Sequence, residues 1–219
     1  MDADPVEIRV LGSLVEKRRT TPDAYPLSLN ALRLACNQAT SREPVVDYDE
    51  PTIRAALTKL SNRGWVRLAS GPSSRAIKYR HLMEDALGLG DAELAVLAVM
   101  MLRGPQTLAE LKTRTERMHR FESLDEVEQT LATLAERELA VRIPRRPGQK
   151  EDRYGQLLGG GEEAEPARAE PASTIEDRVR RLEEAVAAIQ DELARLGPSG
   201  TRRRTTASPQ TDSPRARPG

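Results

Sequence analysis

One short stretch of this sequence, Cys36-Asn37-Gln38, has residue types that could perform chemistry. A cysteine acts as a nucleophile only when a base stands beside it. The chain offers two histidines, His81 and His119, and no motif links either of them to Cys36. A metal site needs more cysteine, histidine and carboxylate ligands at suitable spacing than this stretch supplies. We therefore predict that the protein is not an enzyme, with no catalytic residue, no metal and no cofactor.

The same three residues also have a structural interpretation. Residues 27–35 show an apolar helical face, which Cys36 continues as a small hydrophobic side chain. Asn37 and Gln38 fall where this helix must end, so their amides can satisfy the carbonyls of its last turn and the loop that follows. Recognition of a ligand or a partner is the alternative interpretation.

The elements that position this stretch occur twice in the chain. The apolar residues of three segments recur at matching places: 7–18 in 93–104, 27–32 in 106–111, and 51–63 in 125–137. Each copy predicts three helices followed by two short strands around a Gly/Pro turn. This order is typical of a winged helix, a variant of the helix-turn-helix. The predicted fold class is mainly α with small β-hairpins (α+β), in two tandem winged-helix domains.

The pattern divides the chain into five regions. Residues 1–88 and 89–158 are the two predicted winged-helix domains, and residues 159–174, rich in Gly, Glu, Ala and Pro, are a predicted flexible linker. Residues 175–197 have apolar residues at alternating spacings of four and three, which predicts a C-terminal coiled-coil helix. We expect homo-oligomerisation through 175–196, with docking on the chain's own domains as the alternative. Residues 198–219 have the composition of a disordered tail.

Bulk composition restricts the compartment and the kind of partner. Arg and Lys total 34, and so do Asp and Glu, which leaves no overall bias towards an anionic partner. The lone cysteine rules out an internal disulfide and favours a reducing compartment. The N-terminus lacks the pattern of a signal peptide, and the longest apolar run, 94–102, is too short to span a bilayer. We predict a cytoplasmic protein with no membrane partner.

The outward face of the third helix of each copy indicates whether that copy is suited to DNA, because this helix enters the major groove in DNA-binding members of the fold. In the first copy its outward face is mildly basic, whereas in the second Asp125 and Glu136 point outward and would repel phosphate. The hairpins add further basic residues. The candidate DNA-binding residues are Arg54, Thr58, Lys59, Asn62, Arg63, Arg75, Lys78, Arg145, Arg146 and Lys150.

Residues 20–45 resemble the signature of the YceH-like proteins, an uncharacterised bacterial family of tandem winged helices. The resemblance continues through 101–107 and 141–154 and covers nearly the whole chain, although Ala39 stands where the family usually has Lys. It implies the fold but no established activity. The motif residues, with a structural or partner-binding role, are Tyr25, Pro26, Ser28, Asn30, Cys36, Asn37, Gln38, Arg42 and Glu43.

Two hypotheses of function follow. In the first, the protein is a regulator-like, double-stranded DNA-binding oligomer whose first copy reads DNA and whose hairpins contact phosphates. In the alternative, it is a protein-protein interaction scaffold that resembles the chromosome-segregation protein ScpB, in which tandem winged helices grip a partner chain. The mild first helix and the basic hairpins favour DNA, and the near-neutral charge and acidic second helix favour a protein partner.

Overall fold

The computed structural model describes residues 2–69 and 77–159, together with Gln190. The first copy contains α1 (Pro5–Thr20), β1 (Leu27–Ser28), α2 (Leu29–Cys36), α3 (Glu50–Asn62), β2 (Val66–Leu68) and β3 (Lys78–His81). A short helix, α4 (Met83–Leu87), leads into the second copy. That copy contains α5 (Asp91–Arg103), α6 (Leu108–Thr115), α7 (Leu124–Glu136), β4 (Ala140–Ile143) and β5 (Arg153–Gln156).

The described part of the chain therefore has a mixed α+β fold with small antiparallel sheets. The order of three helices followed by a hairpin occurs in both copies, whereas α4 was not expected from the sequence. Arg75 lies outside the described residues, as do the predicted linker beyond Gly159, the tail and all but one residue of the predicted coiled coil.

Short polar side chains cap the start of several helices. Asp4 accepts hydrogen bonds from the amides of Val6 and Glu7, and the Glu7 carboxylate accepts one from the Asp4 amide, which completes a capping box at the start of α1. Asp49 caps α3 through the Thr52 amide. These caps satisfy amides that would have no partner within the helix, and they fix where α1 and α3 begin.

Ser123 caps α7 as the sequence indicates, because its hydroxyl accepts a hydrogen bond from the Glu126 amide. The expected capping box is incomplete, however. The Glu126 carboxylate accepts a hydrogen bond from the amide of Glu122 and not from that of Ser123. The hydrogen bond that would complete the box is therefore made one residue earlier, to the loop before the helix.

The two copies share a pairing outside their hairpins. In the first, β1 joins the hairpin in a three-stranded sheet of order β1-β3-β2, with Leu27 opposite Tyr79. In the second, an isolated bridge joins Gln106 to Tyr154 at the corresponding place. A strand of two residues is too short to show alternation, which is why the sequence did not predict β1.

The core is built around α1 and α5. The buried stretch of α1 runs from Glu7 to Val15, and that of α5 runs from Leu94 to Leu102 without a break. A Cβ at Gly12 would lie 3.0 Å from the Cβ of Met101, so glycine allows the two helices to approach closely. Within residues 2–69 and 77–159, no helix has the length and hydropathy of a membrane span.

The inward faces of the third helices agree with the prediction. Ile53, Leu57 and Leu60 are buried in α3, and the matching apolar residues of α7 are buried too. Trp65, which directly precedes β2, is also part of the core. The outward faces of α3 and α7 are therefore fixed by burial and can be examined as binding surfaces.

Candidate functional site

Two buried arginines hold the C-terminal end of α2. Arg42, in the loop after α2, donates from Nε to the carbonyl of Ala35 at 3.0 Å. Arg9, on α1, donates from one terminal nitrogen to the carbonyl of Cys36 at 3.3 Å and from the other to that of Pro44 at 2.7 Å. The carbonyls of Ala35 and Cys36 are thus satisfied by arginines, and the expectation that the side-chain amides of Asn37 and Gln38 would do so is wrong. The expectation that these amides would satisfy the following loop is confirmed for Asn37.

The charge of Arg42 is balanced by Glu16 of α1. Its terminal nitrogens lie 2.6 and 3.1 Å from the two Glu16 carboxylate oxygens, in a two-point contact. Burial opposes ionisation of Glu16, but the hydrogen bonds and charge of Arg42 outweigh it and lower the pKa of this carboxyl. The side-chain oxygen of Gln38 accepts a further bond from Arg42 at 3.3 Å. Gln38 therefore helps to orient the guanidinium.

Asn37 fixes the far end of the same loop. Its amide nitrogen donates to the carbonyl of Tyr48 at 2.8 Å, and its side-chain oxygen accepts from the Tyr48 amide at 3.0 Å. Tyr48 precedes Asp49, the residue that caps α3. Asn37 therefore sets where α3 starts relative to the end of α2.

We expect Asn37→Ala to lower the free energy of unfolding by about 2 kcal/mol, because two hydrogen bonds to a part-buried backbone are lost together. Asn30→Ala is the matched control, since Asn30 is exposed and its side chain accepts a single hydrogen bond within the described residues, from Arg33. The control should stay within about 0.5 kcal/mol of the parent protein. Urea denaturation followed by circular dichroism measures both, and equal effects would show that Asn37 does not hold the loop.

Cys36 is buried, and its sulfur faces the carbonyl of Arg9 at 3.9 Å. Burial raises the pKa of the Cys36 thiol to about 11, which is the opposite of what an activated nucleophile requires. Within the described residues, no group of three or more His, Cys, Asp or Glu side chains is placed to hold a metal ion. The geometry around this thiol is that of a core side chain.

Three other motif residues also hold the fold. Ser28 caps α2 through the Ala31 amide, and the Glu43 amide donates to the Leu102 carbonyl of α5 at 2.8 Å. The hydroxyl of Tyr25 accepts from the His81 amide at 2.8 Å. The motif thus connects α2 and its following loop to α1, α3, α5 and the end of β3.

The outward face of α3 is less basic than the sequence indicates. Lys59 pairs with Asp4 at 2.7 Å, and Arg63 contacts the carboxylate of Glu7 at 3.3 Å and the carbonyl of Asp2 at 2.7 Å. These two cations hold the end of α3 against the start of α1. The residues of α3 that point outward without such a contact include Arg54, Thr58 and Asn62.

The second copy presents a different surface. Asp125, Gln129 and Glu136 are exposed on α7, so this helix carries acidic groups where a DNA reader would carry basic ones. Three basic residues between β4 and β5, Arg145, Arg146 and Lys150, are exposed. The loop is shaped by Asp152, which pairs with Arg142 and accepts from the Arg145 amide at 2.8 Å.

The first sheet carries a basic surface that sequence reasoning largely missed. Arg67 of β2 lies directly opposite Arg80 of β3, and paired residues project on the same side of a sheet. Lys78 shares that side, two residues before Arg80. We call Arg67, Lys78 and Arg80 the basic sheet face. Of these three, the sequence predicted only Lys78, although the alternation of Lys78 and Arg80 along β3 is a signal for the face.

No residue of the basic sheet face forms an ion pair with any other residue in the described ranges. Residues 70–76, between β2 and β3, contain no acidic side chain. Like charges placed directly opposite each other destabilise a sheet. The arrangement therefore opposes folding, and an anionic partner would remove the repulsion.

The other side of the hairpin is apolar at its outer end. Leu68 is 59% exposed and Ile77 is 56% exposed. Both lie on the side of the sheet whose inner end, at Val66 and His81, is buried. The hairpin thus offers a basic surface on one side and two solvated aliphatic side chains on the other.

Comparison with known proteins places the chain in a family. The family model described as "Protein of unknown function, DUF480" matches residues 3–149. A UPF0502 protein of Opitutus terrae is 48% identical over 188 residues, covering 84% of this chain and 82% of the relative. Another, of Solibacter usitatus, is 48% identical over 191 residues, covering 85% and 92%. A third, of Pseudomonas fluorescens, is 47% identical over 199 residues, covering 87% and 91%. These matches extend over most of this chain and of each relative, and the chain belongs to this uncharacterised bacterial family of UPF0502, YceH-like proteins.

Proposed function

We propose that this protein is a non-enzymatic tandem winged-helix protein that binds double-stranded DNA through its first copy, in a regulator-like role. The arrangement that supports the fold assignment is the repeated order of three helices and a hairpin, with the third helix exposed on one side. The observation that carries the function is the basic sheet face, because its three cations lie together without an acidic partner in the described ranges.

The proposed contact combines the basic sheet face with α3. Arginine and lysine side chains bind phosphate oxygens and position a protein on the duplex without reading sequence. Arg54, Thr58 and Asn62 on the outward side of α3 supply groups that can reach base edges, and an asparagine can bind adenine with two hydrogen bonds. Self-association through 175–196 belongs to the same proposal, since a dimer would present two such surfaces.

A salt titration tests the proposal. Fluorescence anisotropy of a labelled random duplex should show binding at low salt that weakens as salt is raised, because each phosphate contact releases counterions. For three contacts we expect the logarithm of the association constant to fall with a slope of about −2.7 against the logarithm of salt concentration. The absence of binding at low salt would contradict the proposal.

Two exposed aliphatic side chains favour a second candidate, a scaffold that binds another protein. Leu68 and Ile77 lie on the same side of the hairpin at its outer end, and exposed apolar groups of this kind occur in protein interfaces. Under this hypothesis Leu68→Ser with Ile77→Ser abolishes capture of the partner, and neither this variant nor the parent protein binds duplex DNA at low salt. Under the DNA hypothesis the same pair has no effect on the salt titration.

A further inference from the structure

A polar cavity of about 380 Å³ lies where β3 ends. The turn before β1, the C-terminal part of α1 and the start of α4 surround it. Its lining includes Arg18, Tyr25, Pro26, Arg80, His81 and Glu84. Of the residues proposed to contact DNA, Arg80 alone is among those that line this cavity.

His81 offers a hydrogen-bond donor that has no acceptor. Its Nδ1 accepts from the Met83 amide at 3.4 Å, so the proton of the neutral ring is on Nε2. Burial, together with the charges of Arg18, Arg19 and Arg80, lowers the pKa of His81 to about 3, which keeps the ring neutral at ordinary pH. The side chain is only 3% exposed, and Nε2 has no partner in the described part of the protein.

Tyr25 adds a second donor beside the first. Its oxygen already accepts from the His81 amide at 2.8 Å, so the hydroxyl proton is available to another group. Burial raises the pKa of Tyr25 to about 12, which keeps that proton in place. The ring centroids of Tyr25 and His81 are 6.1 Å apart, so both donors belong to one small region.

The two arginines and two carboxylates of the lining balance in number, but they are not all paired with one another. Glu84 is paired with both Arg18 and Arg19, and Arg19 also pairs with Asp91. Arg80 forms no ion pair within the described ranges, and its Nε is buried without a hydrogen-bond partner. Asp85 also lines the cavity but is exposed to solvent. The groups without partners are therefore donors, and a donor requires an acceptor.

We propose that this cavity binds a small anion through carboxylate or phosphate oxygens, which accept from His81 Nε2 and the Tyr25 hydroxyl beside the charge of Arg80. An oxyanion supplies several acceptor sites at once and balances the unpaired guanidinium. The volume falls within the range of small-molecule pockets. This proposal is independent of DNA binding, because the two hydrogen-bond donors, His81 and Tyr25, do not belong to the basic sheet face. Arg80 is the residue that the two proposals share.

Histidine NMR of the full chain tests the site directly, since His81 and His119 are the only two histidines. Inorganic phosphate and acetate are the probes, each titrated against sodium chloride at constant ionic strength. We expect a saturable shift of the His81 ring signals with at least one probe, while those of His119 stay unchanged. A stronger response to phosphate or to acetate assigns the class of oxyanion.

Tyr25→Phe removes one donor and should weaken the response about tenfold, whereas Arg120→Gln, an exposed change in the second copy, should leave it unaltered. Circular dichroism of each variant confirms that it is folded. Three results would overturn the proposal: no shift of His81 with either probe, equal shifts of both histidines, or the same affinity in folded Tyr25→Phe. A shift produced only by duplex DNA would also overturn it, because the anion would then be a DNA phosphate.

Discussion

Arg42→Met is expected to lower the free energy of unfolding by about 3 kcal/mol, because the half-buried carboxylate of Glu16 loses its two-point partner and keeps only the longer contact with Lys17 at 3.6 Å among the described residues. The Arg42 side chain is fully buried and also satisfies the carbonyls of Ala35 and Ser41, so several bonds are lost together. Chemical denaturation measures the change. The matched control is Arg120→Met, whose guanidinium is exposed and 4.0 Å from Glu122. It should change stability by about 0.5 kcal/mol or less.

The effect of Arg42→Met should depend on pH. The pKa of Glu16 is lowered in the folded protein, so its pairing contributes stability above the ordinary value of 4.5 and loses it as pH falls through the folded pKa. The difference between parent and variant should therefore shrink below pH 4.5. The double variant Glu16→Met with Arg42→Met should recover the part of the loss that comes from the unpaired carboxylate, but not the part that comes from the carbonyls of Ala35 and Ser41. A single variant within about 1 kcal/mol of the parent would contradict this role.

Gly12→Val is expected to lower the free energy of unfolding by about 3 kcal/mol, because the added side chain has no room between α1 and α5. A Cβ at this position would lie 3.0 Å from Met101 Cβ and 3.1 Å from the Leu102 side chain. The Cβ of Met101 is fixed by the backbone and cannot turn away, so the two helices themselves must separate. Thermal unfolding followed by circular dichroism measures the loss.

Ala55→Val is the control for Gly12→Val, because it places the same side chain on an exposed position of α3. At that position the substitution changes only the helix propensity, which should lower the free energy of unfolding by about 0.7 kcal/mol at most. If the two variants were equally stable, the close packing of α1 against α5 would not be what holds the two copies together.

The repeat and its local chemistry were predictable because they depend on residues close in the chain. Aligning the copies places Ser28 opposite Thr107, and both hydroxyls cap a helix through an amide three residues on, at 3.3 Å. The bridges from Leu27 to Tyr79 and from Gln106 to Tyr154 also recur in the two copies, but they join residues that are distant in the chain, and the sequence did not predict them. Apolar spacing likewise identified the buried side of α3.

The contacts that decide function were not predictable, because their partners are distant in sequence. Lys59 was a candidate for phosphate binding, but it pairs with Asp4, 55 residues away. Arg9 has the type of a surface residue and is buried, because the carbonyls it binds come from the end of α2 and its loop. The opposition of Arg67 and Arg80 depends on strand register, which two separate segments do not reveal.

These contacts change which variants can test DNA binding. Substitution of Arg63 would disturb its contacts with Glu7, Asp2 and the ring of Trp65, so a loss of binding would be confounded by a loss of stability. Arg67 is exposed and Lys78 half-buried, and neither forms an ion pair in the described ranges. Substitution of these two therefore tests the surface without removing a contact that holds the fold.

The most direct test compares two double variants. The first carries Arg67→Gln and Lys78→Gln, and the control carries Arg117→Gln and Arg120→Gln, at two exposed positions of the second copy. Both variants lose two positive charges, so net charge is controlled. We predict that the first variant binds duplex DNA at least tenfold more weakly at low salt, with a salt slope shallower by about 1.8, and that the second binds like the parent. Unchanged binding by the first variant, or equal weakening of both, would contradict the account.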